Sequence, residues 1–184
     1  MIPINEAVVI VREVEVTLIP YGEKLTLQPM TEAFITQSLG SNFTLNVEGN
    51  LVSLAGQDAD AIGKEPIKMP IDELNLSEDD PLDELILWKQ ISTCYDPEIP
   101  VNVVDLGLIY DLSCTPLDQG GYHVGVRMTL TAPGCGMGPI LSQEVEDKLL
   151  AVPYVKEVDV VLVFDPPWDS DMMSDEAKLE LGVL

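Results

Sequence analysis

Basic side chains are scarce. Nine lysines and arginines stand against 32 aspartates and glutamates in 184 residues, a formal net charge of −23. Nucleic acid is excluded as a partner, because phosphates are met by basic footprints. An anionic membrane surface would repel the chain too. Long apolar runs are also missing: no stretch approaches ~18 uninterrupted apolar residues, so no membrane span is expected. The opening MIPINEAVVI has no basic flank, and its apolar run stops at Arg12 and Glu13, which argues against a signal peptide. Cysteine occurs only three times, an odd number that describes no secreted disulfide framework. Reduced thiols in a cytoplasmic protein are the expectation. Histidine occurs once, at His123, and there is no Cys-x-x-Cys pair, so a self-contained zinc site is excluded.

What is present is a folding chain. Apolar residues make up 46% of the sequence, too many for a disordered acidic segment. At this length roughly 70% of the unfolded surface can be buried. The text divides into residues 1–70, an acidic linker at 71–80, and 81–184. The first part alternates apolar and polar residues over 14–18, 24–28, 43–47 and 50–54, with Gly22, Gly40 and Gly49 between the runs. Period-two patterning between glycine turns predicts a small, mostly β domain. Residues 71–90 then carry seven acids against Lys89 alone. Asp80 is placed to cap a helix, with Pro81 at its first position and an apolar face of Leu82, Leu85, Ile86 and Trp88. Tyr122–Leu130 alternates as a strand, and Gly138-Pro139 opens a helix carrying Ile140, Leu141, Val145, Leu149 and Leu150. Val155–Phe164 reads as a strand whose run Val160–Phe164 suggests burial on both faces. The fold class expected is α/β (α+β): a small β-rich domain, then a compact α/β module with a short mixed sheet.

One segment concentrates chemistry: Thr129-Leu130-Thr131-Ala132-Pro133-Gly134-Cys135-Gly136-Met137-Gly138-Pro139. It leaves a strand, turns through proline and glycines, and enters a helix. Cys135 is thereby placed before a positive helix end among outward-pointing N–H groups, both of which favour a thiolate. Gly134 and Gly136 clear side chains from either side of the sulfur. A second segment, Asp96-Pro97-Glu98-Ile99-Pro100, holds two carboxylates on a turn stiffened by two prolines. A third, Asp165-Pro166-Pro167-Trp168-Asp169, ends the last strand, where Trp168 either covers a pocket end or makes a rigid exit. Cys94 reads as a buried small hydrophobe, Cys114 as structural and His123 as a half-exposed strand residue.

Residues Asp96–Tyr110, followed by Met128–Pro139, resemble the SufT/PaaD family of iron–sulfur assembly factors. Ile35–Thr44, Asp58–Gly63, Phe164–Trp168 and Leu179–Gly182 extend the resemblance towards SufT-type proteins. The resemblance implies a small α/β domain that helps mature iron–sulfur proteins, with the loop cysteine, here Cys135, as its key residue. Asp96 and Glu98 fall on the family's acidic turn, and Thr131 matches its threonine before the loop. Three functions follow as expectations. The first is a non-enzymatic factor in which Cys135 binds iron or an iron–sulfur cluster transiently, working with assembly machinery and client apo-proteins; self-association is left open. The second is an adaptor docking donors and clients. The third is a thiol enzyme with Cys135 as nucleophile and His123 as its base.

Overall fold

The computed structural model describes residues 5–96, 99–132 and 136–183. The chain divides into two compact units, Met1–Met69 and Pro70–Leu184.

The first unit is a six-stranded antiparallel sheet. Its strands are β1 (Glu6–Val9), β2 (Val14–Ile19), β3 (Lys24–Leu27), β4 (Glu32–Leu39), β5 (Asn42–Val47) and β6 (Asn50–Ala55), in the order β1-β4-β5-β6-β2-β3. Alternation builds it directly: in β5, Phe43, Leu45 and Val47 are buried while Asn42, Thr44 and Asn46 are half-buried. Glu48 and Gly49, both at positive φ, reverse the chain so that Val47 pairs with Asn50, the tight-turn geometry that matches strand twist. Ile10, Val16, Ile35, Val52 and Leu54 join Phe43 and Leu45 in the core. Arg12 reaches Asp58 at 2.8 Å and Asp60 at 2.6 Å, tying the segment after β1 to the 3-10 turn at Gly56–Ile62. The expected β-rich character is present, with β1 and β4 added to the four strands that alternation had marked.

The second unit is a three-stranded mixed sheet covered by helices. Its elements are α1 (Glu84–Ile91), β7 (Ile109–Pro116), β8 (Tyr122–Met128), α2 (Gly138–Leu150), β9 (Val155–Leu162) and α3 (Asp175–Leu181). β7 and β8 form an antiparallel pair, and α2 carries the chain over to β9, which lies parallel to β8. A parallel neighbour requires such a crossover. Leu87 and Ile91 of α1 and Leu141, Val145 and Leu149 of α2 meet Val124, Val126 and Met128 of the central strand in one core. Residues 71–80 fall within this unit, where Ile71 and Leu76 pack against the same core.

Two expectations are corrected here. Helix α1 is capped by Asp83, whose carboxylate accepts from Leu85 N at 2.9 Å. Asp80 is instead engaged in a reciprocal turn, its carboxylate accepting from Ser77 N at 2.6 Å while its own N–H donates to Ser77 O. Both aspartates are good caps, and the turn takes the first of them. Nor is β9 buried on both faces: Val161 is 53% exposed and Phe164 44%. Helices α1 and α2 cover only one side of the sheet, and the other side carries Asp111, Ser113, Arg127, Glu157 and Asp159.

Candidate functional site

A chain of backbone hydrogen bonds runs from the end of β8 through the 103–108 turn to the segment after α1. Val103 N donates to Cys94 O at 2.9 Å, Leu108 N to Val103 O at 3.0 Å, and Thr129 N to Leu108 O at 2.8 Å. On the other side Val163 N donates to Met128 O at 2.8 Å. These rungs tie the segment that starts the acidic turn to the segment that leaves β8. The two motifs separated by 35 residues in sequence therefore spring from one hydrogen-bonded strip.

The described flanks of the acidic turn run antiparallel. Asp96 N donates to Val101 O at 3.2 Å, and Tyr95 bridges to Asn102. Asp96 is 7% exposed, and its carboxylate accepts from Ile99 N at 2.9 Å, an aspartate side chain standing in for a backbone acceptor. Asp96 is thus nearly buried, with its side chain holding the turn. Glu98, its expected companion, lies outside the described residues, as does the neighbouring Pro97.

On the glycine segment, Thr131 is half-buried and Gly136 exposed, whereas Pro133, Gly134 and Cys135 lie outside the described residues. A Cβ built on Gly136 meets nothing within 4 Å, so that side of the segment is open to another molecule. A Cβ on Gly138 would stand 2.7 Å from Leu130 Cδ1, so the glycine lets α2 begin against the end of β8. The amino end of α2 has no side-chain cap and no acidic residue in its first turn. Its positive end is therefore not neutralised by the helix itself, which favours a nearby anion such as a thiolate.

The C-terminal segment straps the 102–110 stretch. Trp168 Nε1 donates to Leu106 O at 2.8 Å, Tyr110 Oη donates to Pro166 O at 2.9 Å, and Ser174 N donates to Asp105 O at 2.8 Å. Met173 and Ala177 are buried in the core. Trp168 is an anchor of this strap, in keeping with the rigid exit that its sequence position suggested. Sequence reading missed Asn102, 8% exposed, whose Oδ1 accepts from Val104 N and Asp105 N while its Nδ2 donates to Asp105 at 2.5 Å. An asparagine followed by a turn was the one available signal.

The remaining titratable candidates are spread through the second unit. His123 Nε2 pairs with Asp159 Oδ2 at 2.8 Å at the start of β8, roughly 20 Å along the strand from Thr129. Cys114 is half-buried, with its thiol pushed up by burial and then by Glu84. Cys94 is fully buried, as expected, and burial followed by the Glu144 charge pushes its thiol well up. Among the described residues no group of three or more His, Cys, Asp or Glu is arranged to hold a metal ion.

The Cys94 shift has a measurable sign. The folded chain keeps this proton to higher pH than the unfolded chain, so the contribution is complete below the unfolded thiol value, about 8.5. It is lost as pH rises towards the folded value. Urea unfolding between pH 8 and 10 should show stability falling more steeply in the wild type than in Cys94→Ala, by up to about 1.4 kcal/mol per pH unit. Equal slopes would show that Cys94 is not the buried proton.

Comparison with known proteins places this unit among relatives. The sequence model of a family described as "Iron-sulfur cluster assembly protein" matches residues 87–160. A Porphyromonas gingivalis protein named "Fe-S protein maturation auxiliary factor" is 49% identical over 96 residues, covering 52% of this chain and 88% of the relative. The "Fe-S protein maturation auxiliary factor SufT" of Staphylococcus aureus is 42% identical over 88 residues, 48% of this chain and 96% of the relative. A crystal structure of a Bacillus anthracis domain of unknown function is 35% identical, with a TM-score of 0.48, covering 55% of this chain and 92% of that one. No helix of the described residues is long and apolar enough to cross a membrane.

Proposed function

Since the chain belongs to the iron–sulfur cluster assembly protein family, we propose that it is an auxiliary maturation factor that receives iron or an iron–sulfur cluster on the Cys135 thiolate and passes it to client apo-proteins. The observation that carries this reading is the uncapped, unneutralised amino end of α2 directly after the glycine segment. A thiolate is stabilised by such an end, and it is a soft ligand suited to iron. Gly136 leaves the approach open. Asp96 holds the acidic turn in place on the shared hydrogen-bonded strip, where Glu98 adds a second carboxylate by sequence. Incomplete protein ligation suits cargo that must be released, and a donor or client would complete the coordination.

The enzyme reading has less support. A cysteine nucleophile needs a general base within hydrogen-bond reach, whereas His123 is paired with Asp159 at the far end of β8. The test of the carrier reading is cluster transfer to an apo-client under anaerobic conditions. Cys135→Ala should lose transfer by on the order of tenfold or more. Undiminished transfer by that variant overturns the proposal and leaves the adaptor role.

A further inference from the structure

The family match at residues 87–160 lies wholly within the second unit, so it assigns nothing to the six-stranded sheet. One face of that sheet lines the core of the first unit, and the other departs from the usual polar-outward pattern. Phe34 stands between the buried Ala33 and Ile35 yet is 49% exposed, and Leu51, just before the buried Val52, is 40% exposed. Register sets them in one row across five strands: Ala7 pairs with Phe34, Phe34 with Asn46, Asn46 with Leu51, and Leu51 with Ile19. Directly paired side chains stand about 4.5–5.5 Å apart, so these residues are neighbours rather than scattered surface hydrophobes. Asn46, the polar member, accepts from Gly49 N at 3.0 Å through its own Oδ1, so its amide is engaged with the turn. On one side the next outward row, Gln37, Thr44, Ser53 and Thr17, is polar. On the other side Val9 pairs with Glu32, and Glu48 sits in the turn after β5.

We propose that this row docks an amphipathic helix of a partner protein, one whose apolar stripe is edged by lysine or arginine. The role is independent of the chemistry at Cys135. Charge selects the partner. Residues 1–69 carry nine acids against four bases, and Arg12, Lys24 and Lys64 pair with Asp58 and Asp60, Glu15 and Glu6 respectively. None of those pairs uses Glu32 or Glu48 beside the row. A second copy of the chain would bring like charges together there, whereas a basic helix meets complementary ones. Geometry selects the helix. A sheet face offers no free backbone groups to an extended segment, while a helix satisfies its own. Five strands at ~4.8 Å spacing span about 19 Å, the length of about 13 helical residues. Side chains three or four positions apart on a helix recur every ~5–6 Å, close to the strand spacing.

The probe is a fluorescein-labelled helical peptide of about 14 residues, with a leucine stripe edged by lysines, titrated with the full chain and followed by anisotropy. A companion peptide carries glutamate in place of lysine. The double variant Phe34→Thr, Leu51→Thr keeps strand-favouring side chains, so its urea midpoint should match the wild type. Its affinity for the lysine peptide should fall on the order of tenfold. The double variant Glu32→Lys, Glu48→Lys should weaken the same peptide several-fold, and Cys135→Ala should bind it as the wild type does. The glutamate peptide should not bind measurably. Equal affinity of wild type and threonine variant for the lysine peptide overturns the inference, because the attraction is then to overall charge alone. Equal binding of the two peptides, or loss of binding in Cys135→Ala, overturns it too. So does a concentration-dependent dimer in sedimentation that the threonine variant loses, which would give the face to a second copy. If the double threonine variant does not fold, Leu51→Thr alone and the lysine variant make the same comparison.

Discussion

Iodoacetamide at neutral pH is expected to modify Cys135 on the order of a hundredfold faster than Cys94 in the native chain, because the thiolate is the reacting species. Three environments set the order. Cys94 is fully buried, and burial together with Glu144 keeps it protonated. Cys114 is half-buried and shifted the same way, first by burial and then by Glu84. Cys135 precedes the uncapped amino end of a 13-residue helix whose first turn holds no acid, and such ends lower thiol pKa values. Peptide mapping after a brief pulse measures all three rates in one sample. Denaturing the protein first should bring the three rates close together, since the environments are then lost. Comparable rates for Cys94 and Cys135 in the folded chain would remove the basis for an activated thiol.

Gly107→Ala is expected to destabilise the second unit by about 2–4 kcal/mol, the sum of overpacking and a side chain at positive φ. Gly107 has φ +70, and a Cβ there would stand 2.3 Å from Met172 O and 2.7 Å from Met172 C. Two backbones meet at this point, so no flexible side chain can turn aside. The strap that Met172 belongs to is fastened by Trp168 on Leu106 and by Ser174 on Asp105, and its displacement should free the indole from its acceptor. Urea unfolding followed by tryptophan fluorescence reads both effects, with Trp168→Phe assigning the spectral change. A Gly107→Ala chain as stable as the wild type would mean that the strap does not sit on the 102–110 stretch.

The sequence foretold elements where one physical signal dominated. β5 and β6 follow from strict alternation around Glu48-Gly49, and α2 follows from Gly138-Pro139 leading an apolar stripe. β4 escaped because a register shift between Ile35 and Gln37 breaks period two: Thr36 and Gln37 are both half-buried in succession. β7 escaped for a related reason, a shift between Ile109 and Asp111 at the end of an apolar run. The over-burial expected for β9 came from reading five apolar residues as two covered faces, when cover depends on how many helices the unit has to place. For the site, residue types at Cys135, Asp96, Glu98 and Thr131 were legible as local motifs. Their shared root was not, because the rungs from Cys94 through Val103 and Leu108 to Thr129 join segments 35 residues apart. The full burial of Thr129 was likewise invisible, since burial of a threonine is set by what folds over it.

The net charge of −23 now has a structural setting as well as a sign. Acids crowd residues 71–84 and the strap from Asp165 to Glu180, while the first turn of α2 holds none. An acid in that turn would offset the positive end of the helix, and none stands there.

Anaerobic reconstitution with ferrous iron and sulfide, followed by absorbance and Mössbauer spectroscopy of wild type and Cys135→Ser, tests the central claim most directly. The wild type should acquire sulfur-ligated iron that a chelator or an apo-client removes, whereas Cys135→Ser should fold normally yet acquire little or none. Sulfur-ligated iron of equal amount and spectrum in the serine variant would contradict it.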